Sequence, residues 1–225
     1  PRTLKDLTLS PGRVAREYIT GNRVKYYGPV GYFFLMVTLF LLIASLLGID
    51  IIEFTMKSSA EITEQQGEGQ REFNMMVNQW VNDNFRLVSF ITALFVVFFT
   101  WLFFSKSGYN IIETSVLIFF VNGHTMWLSI FSMMMYSVTG YAVPFSITLI
   151  VQILFLLFAF SNLYSYQKKW KVVVKGLLLY ITSYIAMMFI VGVYIFYLAY
   201  TDKTFLEKIR PANNKPKVEQ TPVAK

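Results

Sequence analysis

The chain has 225 residues, 55% of them hydrophobic and 18% aromatic, with only 15% charged and no cysteine. A soluble domain carries about a quarter charged residues, so this composition excludes a soluble enzyme, a disordered chain and a disulfide scaffold. The formal net charge is nevertheless +7, which fits that apolar bulk only if the two are segregated along the chain.

Residues 1–28 are polar and basic. Ser10-Pro11 reads as a helix start, a capping hydroxyl followed by proline at the first helical position, and Gly21 as its stop. Between them Val14, Ala15, Tyr18 and Ile19 share a face flanked by Arg13, Arg16 and Glu17, which predicts an amphipathic helix lying in the membrane interface. Arg13, Arg16, Arg23 and Lys25 are candidate contacts to anionic lipid headgroups, at about 1 kcal/mol per basic residue near the surface. The alternative is a topology anchor whose long side chains snorkel.

Five stretches are apolar over the roughly 20 residues that a helix needs to cross a bilayer: 29–47, 87–104, 111–138, 144–162 and 173–200. Tyr26, Tyr27, Tyr109, Tyr136, Tyr164, Trp170 and Tyr200 gather near their ends, as an interfacial aromatic belt does. The expected fold is an all-α integral membrane protein with about five transmembrane helices and two interfacial amphipathic helices. Its parts are an interfacial segment 1–28, a membrane domain over 29–200 with an extracytoplasmic loop 50–86, and a polar tail 201–225. Six Lys or Arg residues before span one share a side with Lys106, Lys168, Lys169, Lys171 and Lys175, while the loop 50–86 is acidic. The N-terminus is therefore expected in the cytoplasm. The tail falls on the opposite side although it holds six basic residues, against that same trend.

Within the loop, Phe73, Met76, Val77, Trp80 and Val81 recur at helical spacing and Phe85 extends the stripe at its edge. They predict a second amphipathic helix, either flat on the outer interface or packed on a partner. The tail is disordered by composition, and another membrane-protein subunit is the expected holder of both segments.

Ionisable groups within spans are functional candidates. Span three carries Glu113 and His124, eleven residues apart and so on one helix face, separated by about 16 Å. With Gln152 in span four and Ser183 in span five they could line a proton or ion path. Against this, Asn110 and Glu113 have capping-box spacing, and a neutral His124 bonded to Gln152 or Ser183 is a purely structural reading worth about 1 kcal/mol. With one histidine and no cysteine, no zinc, haem or iron–sulfur site is expected, and adjacent methionines point apart rather than converging on copper. No cofactor is expected, and nothing interleaves basic and aromatic residues for nucleic acid.

The run from Thr3-Leu-Lys-Asp-Leu through Pro11-Gly-Arg-Val-Ala-Arg-Glu-Tyr-Ile-Thr-Gly21 to Arg23-Val-Lys-Tyr-Tyr-Gly-Pro29 resembles the opening signature of an uncharacterised family, a domain of unknown function, specifically over residues 3–35 and loosely over the remaining spans. Tyr109-Asn110 with Glu113 resembles a later element of it. The resemblance implies a multi-pass inner-membrane protein of Bacteroidota, often preceded by a cysteine-rich zinc ribbon, and implies no activity. Because the chain begins at Pro1 and not Met, more sequence is expected ahead of it. The leading functional expectation is a non-catalytic accessory or scaffold subunit of an inner-membrane complex. The alternative is a transporter or channel for a small solute, proton or lipid, and an intramembrane enzyme ranks last because no nucleophile or metal constellation is present.

Overall fold

The structure, a computed structural model, describes residues 2–59 and 68–201, except the side chains of residues 68–73 and 199. The tail expected to meet a partner lies outside the described residues from 202 onward, as does the side chain of Phe73. Among the described residues the chain is all-helical, without strands: α1 (Arg2–Leu9), α2 (Pro11–Ile19), α3 (Pro29–Leu46), α4 (Ile51–Ser58), α5 (Glu68–Asp83), α6 (Phe85–Phe103), α7 (Ile111–Thr139), α8 (Phe145–Leu163) and α9 (Lys169–Thr201).

Five helices, α3 and α6 to α9, are long and apolar enough to cross a membrane. Their ends match the apolar stretches to within about two residues, except that α9 begins at Lys169, four residues before the expected start. Lys169, Trp170 and Lys171 are polar or amphipathic but good helix formers, so the backbone helix outruns the apolar stretch.

The central element is α7. In its most apolar window 61% of residues are buried, against 17% in α9. It touches α3, α6 and α8 and also both short N-terminal helices, while α9 bridges α6 and α8 on the outside. The α3–α7 contact is the most extensive in the bundle, and α7 offers Gly123 there. A Cβ on Gly123 would sit 3.0 Å from the Phe33 Cα, so the missing side chain is what admits the neighbouring backbone. The two helices run in the same direction. Tyr32 and Phe33 meet Phe119, Phe120 and His124 at one end, and beyond the other end of α3, Phe54 of α4 meets Tyr136. At the first of these ends, called here the cap end, α7 overhangs the start of α3 by roughly two turns.

The N-terminal region covers that overhang. It holds two helices where the sequence pattern suggested one, with α1 unforeseen because eight residues show too little periodicity to read. The expected face of α2 is correct, but it packs on protein: Val14 and Ala15 are fully buried against the bundle, with α2 lying on α7 and α8. Proline stands at the start of α2 as expected, whereas the Ser10 side chain makes no cap hydrogen bond. Its backbone N–H instead closes α1 on the Asp6 carbonyl at 2.9 Å. Gly12 makes the docking possible, since a Cβ there would lie 2.6 Å from the Asn162 carbonyl carbon.

The core at this end is aromatic. Phe104 stacks on Tyr164 at 4.1 Å and meets Phe160 edge-on at 5.3 Å, all three essentially inaccessible. Such pairs add about 0.5–1.5 kcal/mol beyond the area they bury. The first part of the far loop forms α4. Asp50 starts it, its carboxylate accepting from the backbone N–H groups of Ile52 at 2.7 Å and Glu53 at 3.2 Å, the bonds of a good N-cap.

Candidate functional site

The four polar residues singled out in the spans do not form one path. They fall into three separate environments.

Glu113 belongs to the first turn of α7. The Asn110 side chain accepts from the Glu113 N–H at 2.8 Å, and the Glu113 carboxylate accepts from the Asn110 N–H at 2.9 Å. This is the reciprocal capping box its spacing suggested. The carboxylate also suits the positive end of the helix dipole.

His124 is buried one turn above Phe120, held by groups other than Gln152 and Ser183. Its Nδ1 lies 3.0 Å from the Tyr32 hydroxyl and its Nε2 lies 3.1 Å from Thr8 Oγ1. The Phe155 ring covers one face at 5.2 Å. Thr8 donates its only hydroxyl proton to the Leu4 carbonyl at 3.0 Å, so toward His124 it accepts. Both ring contacts are then satisfied by the tautomer with its proton on Nε2, Nδ1 accepting from Tyr32. The close approach at Gly123 brings Tyr32 into range, and the docked cap brings Thr8. Neither partner could be read from span three alone, because both depend on helix packing rather than on spacing.

Gln152 and Ser183 line a third place, a cavity of about 470 Å³ between α6, α7, α8 and α9. Its walls are mainly apolar, with Asn122, Thr125, Ser89 and Thr92 adding uncharged polar groups. Asn122, Ser89 and Thr92 carry a weaker sequence signal than the ionisable Glu113 and His124, since uncharged polar groups are common in apolar helices. Neutral polar residues at intervals inside apolar helices were the available signal.

The stripe on the outer helix is partly used within the chain. Trp80 stacks on Tyr194 of α9 at 4.0 Å. Phe85 opens α6 and packs on Phe40 of α3 at 5.4 Å, and Val81 borders the cavity. Met76 and Val77 are half-buried, while Met75, off the stripe, is exposed.

The four basic lipid candidates also differ among themselves. Arg13 is exposed. Arg16 donates to the Asn162 and Leu163 carbonyls at 3.0 and 2.9 Å, satisfying the C-terminal end of α8 as a cation does. Lys25 pairs with Glu17, whose carboxylate also accepts from the Tyr26 hydroxyl at 2.8 Å. The Lys25 ammonium and then the Tyr26 hydroxyl hold the Glu17 carboxyl below its ordinary range. Arg23 lies over the Tyr18 ring, 6.0 Å from its centroid. It borders an open recess of about 470 Å³ that Asn110 and Glu113 complete.

Among the described residues no group of three His, Asp or Glu is placed to hold a metal ion. No curated protein and no solved structure matches the chain. The model of one family, described as a protein of unknown function (DUF3667), matches residues 1–41, which comprise the two docked helices, the turn that follows them and most of α3 with Tyr32.

Proposed function

We propose that this chain is a non-catalytic accessory or scaffold subunit of a larger bacterial inner-membrane complex, its N-terminus in the cytoplasm. The observation that carries the reading is that both ionisable candidates of α7 are committed to the fold, Glu113 in a capping box and His124 between Tyr32 and Thr8. Supporting it, the N-terminal helices form a docked cap whose outward face carries Lys5 and Arg13, both exposed. A rigid basic face beside a membrane suits anionic lipid headgroups, a second subunit, or both. The positive-inside distribution of Lys and Arg supports the orientation. The resemblance of residues 3–35 supports an origin in Bacteroidota and a zinc ribbon ahead of the cap.

The test is purification from native membranes in mild detergent, with crosslinking before solubilisation. The expected result is a defined set of co-purifying subunits that survives Glu113→Gln with His124→Ala. It is lost when residues 202–225 are removed or when Met75 and Val77 are replaced by Asp. Recovery of the wild-type chain alone overturns the reading. The second reading, a carrier for a small solute or lipid, is favoured by the cavity beside Gln152 and Ser183. A proton path has no such support, since His124 bonds to neither of those residues.

A further inference from the structure

The cavity between α6, α7, α8 and α9 holds two carboxamides without partners among the described residues. Asn122 projects from α7 and Gln152 from α8, and both line the space. Thr125 and Ser183, beside them, donate their hydroxyl protons to the backbone carbonyls of Asn122 at 2.9 Å and Leu179 at 2.8 Å. Neither carboxamide, by contrast, bonds to any described residue. Both residues are half-buried, and unlike Trp127 Nε1 their amide atoms are not among the buried unpaired ones, so each amide keeps accessible surface for a molecule in the cavity. Each amide offers two donors and an acceptor, so together they suit a group rich in carbonyl or hydroxyl oxygen.

The rest of the lining decides what that group is attached to. Among the described residues no Asp, Glu, Lys, Arg or His borders the cavity, so a charged ligand would be desolvated there without a counter-charge from them. Val88, Val96, Leu156 and Leu179 provide apolar wall, and the volume falls in the range of about 300–1,000 Å³ that specific small-molecule sites occupy. The helix α9, with only 17% of its most apolar stretch buried, forms one wall through Leu179, Tyr180, Ser183 and Met187.

We infer that this cavity binds an uncharged lipid, its carbonyl- or hydroxyl-bearing head held by Asn122 and Gln152 and its apolar chain laid along α6 and α9. The assignment is independent of the accessory reading, because subunit recovery and lipid occupancy are measured separately. A glycerolipid without a charged headgroup and an isoprenoid quinone share this chemistry.

The probes are a diazirine-bearing diacylglycerol and a diazirine-bearing phosphatidylglycerol, applied to the full chain in native membranes, with a short-chain benzoquinone as competitor. The expected result is labelling of peptides around residues 122 and 152 by the diacylglycerol. That labelling falls about five- to tenfold in Asn122→Leu and in Gln152→Leu, each of which removes one hydrogen-bonding group. Because both substitutions delete an unpaired amide, they leave the unfolding temperature unchanged or raise it, which a structural role for either amide would not allow. Ser183→Phe fills the space from α9 and abolishes labelling by a separate route. Displacement by benzoquinone names the quinone as occupant, and labelling resistant to it names the glycerolipid. Equal labelling by the anionic probe overturns the assignment, as does undiminished labelling in Ser183→Phe or in the leucine variants.

Discussion

Thr8 of α1 and His124 of α7 are 116 positions apart and meet side chain to side chain, Oγ1 to Nε2 at 3.1 Å. With Tyr32 on the other ring nitrogen, the contact ties three elements together: the cap, the first turn of α3 and the central helix. Thr8→Val keeps the shape of the side chain and strips the acceptor from the Nε2 proton, so it is expected to cost about 1–3 kcal/mol, the penalty of leaving a buried donor unpaired. Thr8→Ser keeps the hydroxyl and is expected to cost much less. Thermal unfolding of the two variants in the same detergent checks this, and identical midpoints would show that the hydrogen bond contributes nothing.

Gly12 sits where α2 crosses the end of α8, and the backbone of Asn162 and Leu163 occupies the space a side chain would need. Gly12→Val therefore has to push α2 off α8, and the accompanying strain is expected at about 1–3 kcal/mol or more. Since Arg16 caps the same carbonyls, the displacement also frees those acceptors. Hydrogen exchange should rise across residues 2–19 and at 160–163 while the far end of the bundle stays protected. Unchanged exchange in the cap would refute the close-packed docking.

The limits of sequence reading follow from which interactions are local. The capping box of Asn110 and Glu113 spans three residues, so spacing alone revealed it. The five long helices were legible because apolar length is itself the requirement for spanning. The apolar face of α2 was legible too, but periodicity reports only that Val14 and Ala15 are covered, not by what. Lipid was the natural candidate, and α7 and α8 are what cover them. The partners of His124 were illegible for a related reason. Tyr32 and Thr8 come from helices 92 and 116 positions away, brought near by two glycines whose meaning lies in the close approach they allow.

At the start of α7, Asn110→Ala removes the acceptor for the Glu113 N–H and is expected to cost about 1 kcal/mol. Glu113→Gln should be nearly silent, because glutamine can also close a capping box. Comparing their unfolding midpoints separates the cap from any role for the negative charge. If Glu113→Gln proves more damaging than Asn110→Ala, the carboxylate does something the cap does not explain.

Acid should loosen the N-terminal cap. Glu17 has a folded-state pKa below its ordinary value of 4.5, so its ionised form stabilises the fold. That contribution is complete above the ordinary value and is lost as pH falls through the lowered one. The carboxylate joins α2 to Lys25 and Tyr26, and the Tyr26 hydroxyl also lies 3.3 Å from Asp6 of α1. Exchange protection of residues 2–26 is therefore expected to drop as pH falls below 4.5, by roughly the modest amount typical of a partly exposed pair. Glu17→Gln should lower protection at pH 7 and flatten the dependence; an unchanged profile in that variant would assign the acid response to another group.

On the opposite face, Trp80 and Tyr194 stack at 4.0 Å with their rings 16° apart, making the contact that fastens α5 to α9. Trp80→Ala is expected to lose the stacking contribution of about 0.5–1.5 kcal/mol together with the apolar area buried by the ring. Tyr194→Phe retains the ring and should retain most of the contact, whereas Tyr194→Ala should match Trp80→Ala, with the double variant no worse than either. The same set separates an internal tether from a partner surface. A tether predicts non-additive losses in unfolding temperature and faster exchange in α5 when the chain is purified free of other subunits. If the losses appear only when other subunits are present, Trp80 serves a partner, and its contact with Tyr194 carries little of the fold's stability.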